Sequence, residues 1–332
     1  MKKRIPQHPF ALLDPQRAKQ YLEAHRKMIF GDSNKHIQYL TVLPVKVDYV
    51  PNASRFVAIY EMFFGSSKAR RVVCLAHEKG ERAGEHRALE ALARQARDRK
   101  NFCIPKPFFY DGTYGVSFIE YVPGPALYDV VKRQKDIPLP VLRSLFSWII
   151  TLSTLKLTSI PNIQAHPDFQ HLRQDLTIVA RTHTQRAQKL THIWHRWERR
   201  FLKEWKTMPH QLAQGDFHPA NIRLPRSTRK VCVIDFGRLT MAPPFWDLAG
   251  LLSQIDTLTG RELSPRNIHR LQNKILAAWH RFVAPLGKNE REHIAWLKEY
   301  YDLAAIAHLI AWENTAHLKA HIDRLFGNLI KT

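Results

Sequence analysis

The sequence has little cysteine, and this shortage limits the kind of site that it can form. Its three cysteines, Cys74, Cys103 and Cys232, lie far apart and include no C-x-x-C pair. A disulfide framework or a structural zinc site is therefore not expected, and a reducing compartment is the natural environment.

Long apolar runs are also missing. The longest apolar stretch, residues 139–157, is interrupted by Pro140, Arg143 and Lys156, which excludes a membrane-spanning helix there. The N-terminus starts with charge, but no apolar segment long enough for a signal peptide follows before Asp14. We therefore expect a cytoplasmic protein.

Acidic residues are scarce. The chain has 29 Asp and Glu against 51 Lys and Arg, so its formal net charge is +22. Such a field attracts anions and disfavours a cationic substrate. General basicity for solubility is an open alternative. The length of 332 residues and the 45% hydrophobic content suit about two domains with sizeable cores.

The order of predicted elements divides the chain into two parts. A helix capped by Asp14 is predicted from 16 to 30. Alternating and β-branched patterns then predict five strands, and apolar spacing predicts one helix, at 82–97. The predicted strands are 45–50, 56–63, 71–77, 105–110 and 116–121. After Gly124 the pattern is mostly helical, apart from a short predicted hairpin between 214–224 and 231–234.

Two short segments of the second part carry acidic and amide side chains at an informative spacing. Asn221 follows Asp216 after four intervening residues, and an apolar run ending at Ile234 leads into Asp235 of an Asp-Phe-Gly turn. In a kinase catalytic loop, the Asp of Asp-x-x-x-x-Asn orients or deprotonates the attacking hydroxyl, and the Asn binds Mg²⁺. The Asp of Asp-Phe-Gly holds the metal that bridges the nucleotide phosphates. Their order predicts a phosphotransferase centre.

Several segments resemble the aminoglycoside phosphotransferase and choline kinase superfamily. Gln214 to Ile222 resembles its catalytic loop, and residues 234–237 and 245–249 resemble its metal-binding segment and the Asp-Leu-Ala helix that follows. Residues 85–89 resemble the start of its N-lobe helix, and residues 118–124 resemble its hinge. The resemblance is stronger in the second half.

The resemblance implies an α+β, two-lobed protein-kinase-like fold with MgATP between the lobes. The expected lobes are a small antiparallel-sheet N-lobe, residues 1–119, and a mainly helical C-lobe, residues 120–332. It further implies that Asp216 is the catalytic base, with Asn221 and Asp235 as metal ligands. Gln214, which stands where His is usual, His218 and Asp247 are expected to support the loop.

The nucleotide side matches less well. Family members place a Lys or Arg on the third strand and pair it with a Glu of the next helix. Residues 72–77 offer no such cation, so Lys79 is the nearest candidate, with Glu85 as its partner. A plain surface role for Lys79 is equally open.

Other nucleotide contacts are expected from backbone groups. The sequence lacks G-x-G-x-x-G, so Asn52 and Ser54 of the turn after the first strand would form a small phosphate-binding nest. An ordinary hairpin turn is the alternative. Glu120 and Val122 of the hinge would bind adenine through their main chain.

Residues 181–206 combine eight cations with an apolar stripe. The stripe contains Trp194, Trp197 and Trp205 at helical spacing. Packing against the helical lobe is the favoured interpretation. The alternative is contact with an anionic acceptor or with the inner face of the membrane through Trp194 to Lys206.

The leading hypothesis is a phosphotransferase that uses ATP and Mg²⁺ and acts on a hydroxyl of a small-molecule or glycolipid-type, lipid-linked acceptor. Two alternatives remain. One is a non-catalytic pseudokinase-like module that binds nucleotide, and the other, less favoured, is a basic protein that binds nucleic acid with a steep salt dependence.

Overall fold

The structure is a computed structural model. It describes residues 8–31, 36–48, 54–65, 69–77, 82–96, 99, 102–155, 163, 167–225, 230–259, 262–312 and 319–330. The chain forms two compact units. The first contains the described residues up to 96 and those from 104 to 122, and the second contains residue 99 and the other described residues.

The first unit is built from two α-helices and a five-stranded sheet. Its elements are a short 3-10 helix (Pro9–Leu13), α1 (Pro15–Phe30), β1 (Tyr39–Asp48), β2 (Arg55–Phe63), β3 (Arg70–His77), α2 (Arg82–Ala96), β4 (Pro107–Asp111) and β5 (Val116–Glu120). The strands are antiparallel in the order β1-β2-β3-β5-β4.

Local chemistry fixes the ends of α1. The Asp14 carboxylate accepts a hydrogen bond from the Arg17 amide at 2.9 Å, and Pro15 stands at the first position, where its missing N–H costs nothing. Gly31 ends the helix at φ +69°, which glycine adopts without steric cost.

The two faces of the sheet carry different helices. Phe56, Ala58, Tyr60 and Met62 of β2 are fully buried on the face that packs against α1. Val57 and Ile59 of β2, Val73 and Leu75 of β3 and Ser117 of β5 alternate with the buried residues and define the opposite face, called here the α2 face. Helix α2 is attached to it because His86 Nδ1 lies 2.7 Å from Ser117 Oγ.

The second unit is mainly helical. Its helices are α3 (Leu127–Gln134), α4 (Leu139–Ser153), α5 (Gln170–Thr182), α6 (Thr184–Trp205), α7 (Trp246–Thr259), α8 (Pro265–Phe282), α9 (Lys288–Trp312) and α10 (Lys319–Leu329). Its strands are β6 (Gln211–Ala213), β7 (Ile222–Arg223), β8 (Cys232–Val233) and β9 (Thr240–Ala242). They form two small antiparallel pairs, β6 with β9 and β7 with β8.

The apolar stripe of α6 lies in the core of this unit. Trp194, Trp197 and Phe201 are buried among residues of α5, α7, α9 and α10. The Trp197 indole donates a hydrogen bond to the main-chain oxygen of Trp296 at 2.9 Å. Of the two interpretations of this stripe, the structure shows the packed one.

The predicted α+β fold class is confirmed, because an antiparallel sheet is followed by a mainly helical unit. Two details of the element prediction are wrong. The first strand begins at Tyr39, because β1 is an edge strand and accommodates Pro44 at a shift in register. The predicted hairpin is limited to Ile222–Arg223 and Cys232–Val233, because residues 214–221 form a loop held by side chains.

Candidate active site

The loop from Gln214 to Asn221 begins where β6 ends. Strand β6 is paired with β9, which follows the Asp-Phe-Gly turn, so the pairing brings both segments together. Gly215 has φ +82°, and a Cβ there would lie 2.1 Å from the main-chain oxygen of Arg238. The close approach of the two segments therefore requires glycine at this position.

Asp247, in the first turn of α7, binds the start of the loop. Its carboxylate accepts hydrogen bonds from the amides of Gln214 at 2.9 Å and Gly215 at 3.1 Å. Burial raises the pKa of Asp247 to about 6, and the negative charge of Asp216 adds to this rise, while the two amides oppose it. Asp247 thus orients main-chain groups and lies away from solvent.

Gln214 links the two segments directly. Its side chain is fully buried. Its Oε1 accepts a hydrogen bond from the Asp216 amide at 2.8 Å, and its Nε2 donates one to the main-chain oxygen of Asp235. One amide side chain therefore fixes the backbone at both carboxylate residues.

Asp216, Asn221 and Asp235 are gathered by these contacts. The Asn221 Nδ2 donates to the main-chain oxygen of Asp216 at 3.1 Å, and the Ile234 amide donates to the main-chain oxygen of Asn221 at 2.9 Å. Asp235 has φ +63° and is exposed, and one of its carboxylate oxygens accepts from the Gly237 amide at 3.3 Å. These contacts bring the loop that carries Asp216 and Asn221 next to the turn that carries Asp235.

Two basic side chains flank the Asp216 carboxylate. His218 Nε2 lies 3.8 Å from one oxygen and Arg238 Nη1 lies 3.9 Å from the other. The His218 Nδ1 accepts from the Ala220 amide at 3.2 Å, so Nε2 carries the proton. Partial burial lowers the pKa of Arg238, but the negative charges of Asp216 and Asp235 outweigh this and raise it.

Arg238 is absent from the residues predicted by the sequence. Its position directly after Asp-Phe-Gly could have indicated that its side chain lies near the site. The sequence could not predict that Tyr300 and Tyr301 of α9 lie near the site, because helical periodicity does not show which residues of a helix approach it. Burial raises the pKa of both tyrosines, and both lie within electrostatic range of Asp216 and Arg238.

The residues predicted for the nucleotide side belong to the first unit. Ser54 directly precedes β2, and Glu85 lies in the first turn of α2, where it pairs with Arg82. Glu120 ends β5 and is exposed, its carboxylate accepting from the Lys106 amide at 3.0 Å, and Val122 is buried. The predicted residues Asn52 and Lys79 lie outside the described residues.

The described residues contain neither a metal-binding cluster nor a membrane-spanning helix. Among the described residues, no group of three or more His, Cys, Asp or Glu side chains is arranged to hold a metal. Within the described ranges, no helix combines the length and apolar character needed to cross a bilayer.

Comparison with solved structures shows a protein-kinase-like, two-lobed fold. The choline kinase of Cryptosporidium parvum Iowa II superposes with a TM-score of 0.64 at 11% identity, covering 95% of this chain and 94% of that one. A microcompartment-associated aminopropanol kinase gives 0.54 at 16% identity, covering 94% of each chain. An aminoglycoside phosphotransferase from Streptomyces rimosus, solved with ADP and streptomycin, gives 0.51 at 16% identity, covering 88% of this chain and 98% of that one.

Comparison of sequences identifies the family. No curated protein matches the chain at a significant level. The sequence profile of the phosphotransferase enzyme family matches residues 61–283, which is more than half of the chain. The predicted resemblance and the predicted enzyme class are confirmed, and the chain belongs to the phosphotransferase enzyme family.

Proposed function

We propose that the enzyme transfers the γ-phosphoryl group of ATP, with Mg²⁺, to a hydroxyl of a small-molecule or glycolipid-type acceptor that carries negative charge. The observation that supports this most strongly is the joining of Asp216 and Asp235 through the buried side chain of Gln214. Phosphoryl transfer depends mainly on positioning and charge neutralisation, and a shared support maintains the positions of both carboxylate residues.

Asp216 is proposed as the catalytic base. Its carboxylate is partly exposed, with 31% of the side chain accessible, so an acceptor hydroxyl can reach it. In this scheme the carboxylate accepts the hydroxyl hydrogen bond and takes the proton as the new O–P bond forms. The leaving group is ADP, which is what one structural neighbour was solved with.

The donor set fits Mg²⁺. Asp235 offers a carboxylate, and Asn221, whose amide NH₂ group is bound to Asp216, keeps its side-chain oxygen as a ligand. Mg²⁺ is usually bound by one or two protein oxygens together with phosphate oxygens and water. When bound, the ion neutralises charge on the phosphates.

Arg238 is proposed to act on the same centre. Its side chain is about half exposed, and its guanidinium lies beside Asp216. There it can hold the carboxylate in place and attract a negatively charged acceptor. The net charge of +22 acts in the same direction over a longer range.

The proposed acceptor class competes with the one that the neighbours suggest. Their names include choline, aminopropanol and streptomycin, which are alcohols that carry amine, quaternary ammonium or guanidine groups. An amine-bearing acceptor would meet the repulsion of a basic protein, and an acidic one would be attracted. Both classes therefore belong in the same assay.

Contact with an anionic membrane surface is the remaining part of the proposal. The tryptophans Trp194 and Trp197 are buried and cannot insert into lipid without unfolding the core. The outer side of α6 exposes Lys189, Arg199 and Lys203. Any membrane contact is thus proposed to be electrostatic, to disappear at high salt, and to locate the enzyme near a lipid-linked acceptor.

The test is a phosphate-transfer screen that follows ADP release with ATP, with and without Mg²⁺. The acceptors are sugar phosphates, acidic glycolipids, neutral sugars and amino alcohols. Mg²⁺-dependent turnover with an acidic acceptor supports the proposal. Turnover only with amino alcohols overturns the acceptor class, and nucleotide binding with no turnover on any acceptor overturns catalysis in favour of a pseudokinase.

A further inference from the structure

The central strand of the first unit lacks a cation where the nucleotide phosphates of this family need one. On β3, Val72, Cys74 and Ala76 are buried on the core face, and Val73, Leu75 and His77 alternate with them on the α2 face. Leu75 is directly opposite Ser117 in the β3-β5 pairing. The hydrogen bond between the Ser117 and His86 side chains thus fixes the first turns of α2 near Leu75.

Arg82, the first residue of α2, has an unusually buried side chain for an arginine. Only 18% of its side chain is exposed, and its partner Glu85 is exposed by 8%. The Arg82 Nη1 donates to Glu85 Oε2. Arginine and glutamate are seldom buried to this degree unless paired, and the pair fixes a guanidinium in the first turn of α2. Arg82 lies four residues before His86, so both side chains lie on the same side of the helix.

A second observation places this charge close to β3. Burial raises the pKa of Cys74 on the middle of the strand, and the positive charge of Arg82 opposes that rise. The guanidinium therefore lies within electrostatic reach of the middle of β3.

The α2 face of the sheet carries an apolar strip. Val57 is directly opposite Leu75, and Ile59 is directly opposite Val73, so the four side chains form one strip on the α2 face. All four are half-buried. An apolar strip on the face to which the start of α2 is attached suits a ligand with an aromatic base at one end and phosphates at the other.

We propose that Arg82 binds the phosphates of the nucleotide and that Glu85 orients it, so that α2 supplies the cation that β3 lacks. This inference rests on the proposed use of ATP. A guanidinium is planar and has five N–H donors, so it can bind a carboxylate through one edge and a phosphate through another. The phosphate-binding cation and its orienting carboxylate are then one turn apart on one helix.

Two other basic residues in the described part of this unit, Arg71 and Arg87, are worse placed. Arg71 is paired with Glu61 at 2.6 Å, and its guanidinium lies 5.4 Å from the Tyr121 ring, towards the other end of β3. Arg87 of α2 is exposed. It has the same charge on the same helix, and it is therefore the matched control.

The experiment measures the affinities of ADP and of adenosine for the full chain by calorimetry. Arg82→Met is expected to weaken ADP about 10- to 100-fold, the range for one lost hydrogen bond to a charged group, and to leave adenosine within about twofold. Arg82→Lys is expected to bind ADP with an affinity between those of the wild type and Arg82→Met. Arg87→Met is expected to change neither affinity, and Lys79→Met, which removes the competing sequence candidate, is expected to change ADP little.

The remaining outcomes are all decisive. Since Arg82→Met leaves a buried carboxylate, Arg82→Met with Glu85→Gln removes both charges, and it is expected to show the same ADP loss with a cooperative thermal transition. Unchanged ADP affinity in either variant, equal losses for ADP and adenosine, or an ADP loss in Lys79→Met instead would overturn the inference. If the wild type transfers phosphate while Arg82→Met matches it, only this inference fails. If the wild type binds no nucleotide, the proposed function fails together with it.

Discussion

Gln214 stands where this family usually has histidine, and it contacts the backbone of both Asp216 and Asp235. A single side chain with one acceptor and one donor is needed to serve an amide and a carbonyl at once. Leucine has nearly the same size but neither group. Histidine has one donor and one acceptor nitrogen and can replace both contacts.

We therefore expect Gln214→Leu to lower the free energy of unfolding by about 1–3 kcal/mol, since two buried polar groups lose their partner. The kcat should fall about 10- to 100-fold because both carboxylates shift. Gln214→His should recover most of the activity. Denaturant titration and steady-state kinetics on both variants check this, and an active Gln214→Leu enzyme would show that the link is dispensable.

Asp247 makes the free energy of unfolding depend on pH, and its burial determines the sign of this dependence. Its pKa in the folded state, about 6, lies above the value in the unfolded chain, so the folded state takes up the proton first. The contribution of this carboxyl to stability is therefore present at low pH and lost as the pH rises through about 6. It does not follow the usual pattern of a salt-bridged aspartate.

Asp247→Asn removes this titration. Between about pH 7.5 and about pH 5, we expect the free energy of unfolding of the wild type to rise by about 1 kcal/mol relative to that of the variant. Urea titrations of both proteins across this range provide the measurement. A pH-independent difference, or a wild type that weakens relative to Asp247→Asn on acidification, would contradict the cause assigned here.

At the scale of an element, the buried and exposed sides of α6 are expected to contribute very differently to stability. Trp197 is 1% exposed and packs on Trp296, while Lys203 points to solvent on the opposite side. We expect Trp197→Ala to lower the free energy of unfolding by about 3–5 kcal/mol, and Lys203→Ala to change it by less than about 0.5 kcal/mol. Chemical denaturation of the two variants compares them, and similar small losses would mean that α6 is not part of the core.

The elements also show what a sequence can predict here. Helices and strands followed from apolar spacing because burial on one face determines both. A candidate site could be predicted from Asp216, Asn221 and Asp235 because phosphoryl transfer limits which residue types can serve it, and the structure brings their backbones together. Arg238, Tyr300 and Arg82 could not be placed, since their approach to other residues depends on packing between elements distant in the sequence.

At the scale of the whole molecule, the excess of positive charge has to be reconciled with a centre made of carboxylates. The formal charge is +22, yet Asp216, Asp235 and Asp247 are close together, with Arg238 beside them. In the proposed function, cations elsewhere on the surface attract an anionic acceptor, while Asp235 binds the metal and Asp216 takes the proton. In this proposal the surface charge acts on substrate approach, and the carboxylates act on the chemical step.

The central claim is that Asp216 takes the proton of the acceptor hydroxyl. It is tested most directly by the kcat of Asp216→Ala with the acceptor found in the screen, with Asp323→Ala, an exposed aspartate of α10 paired with Arg186, as control. We expect Asp216→Ala to lose about 10²- to 10⁴-fold in kcat while keeping the wild-type unfolding transition and ADP affinity, and Asp323→Ala to keep its activity. Near wild-type turnover in a folded Asp216→Ala enzyme would contradict the account.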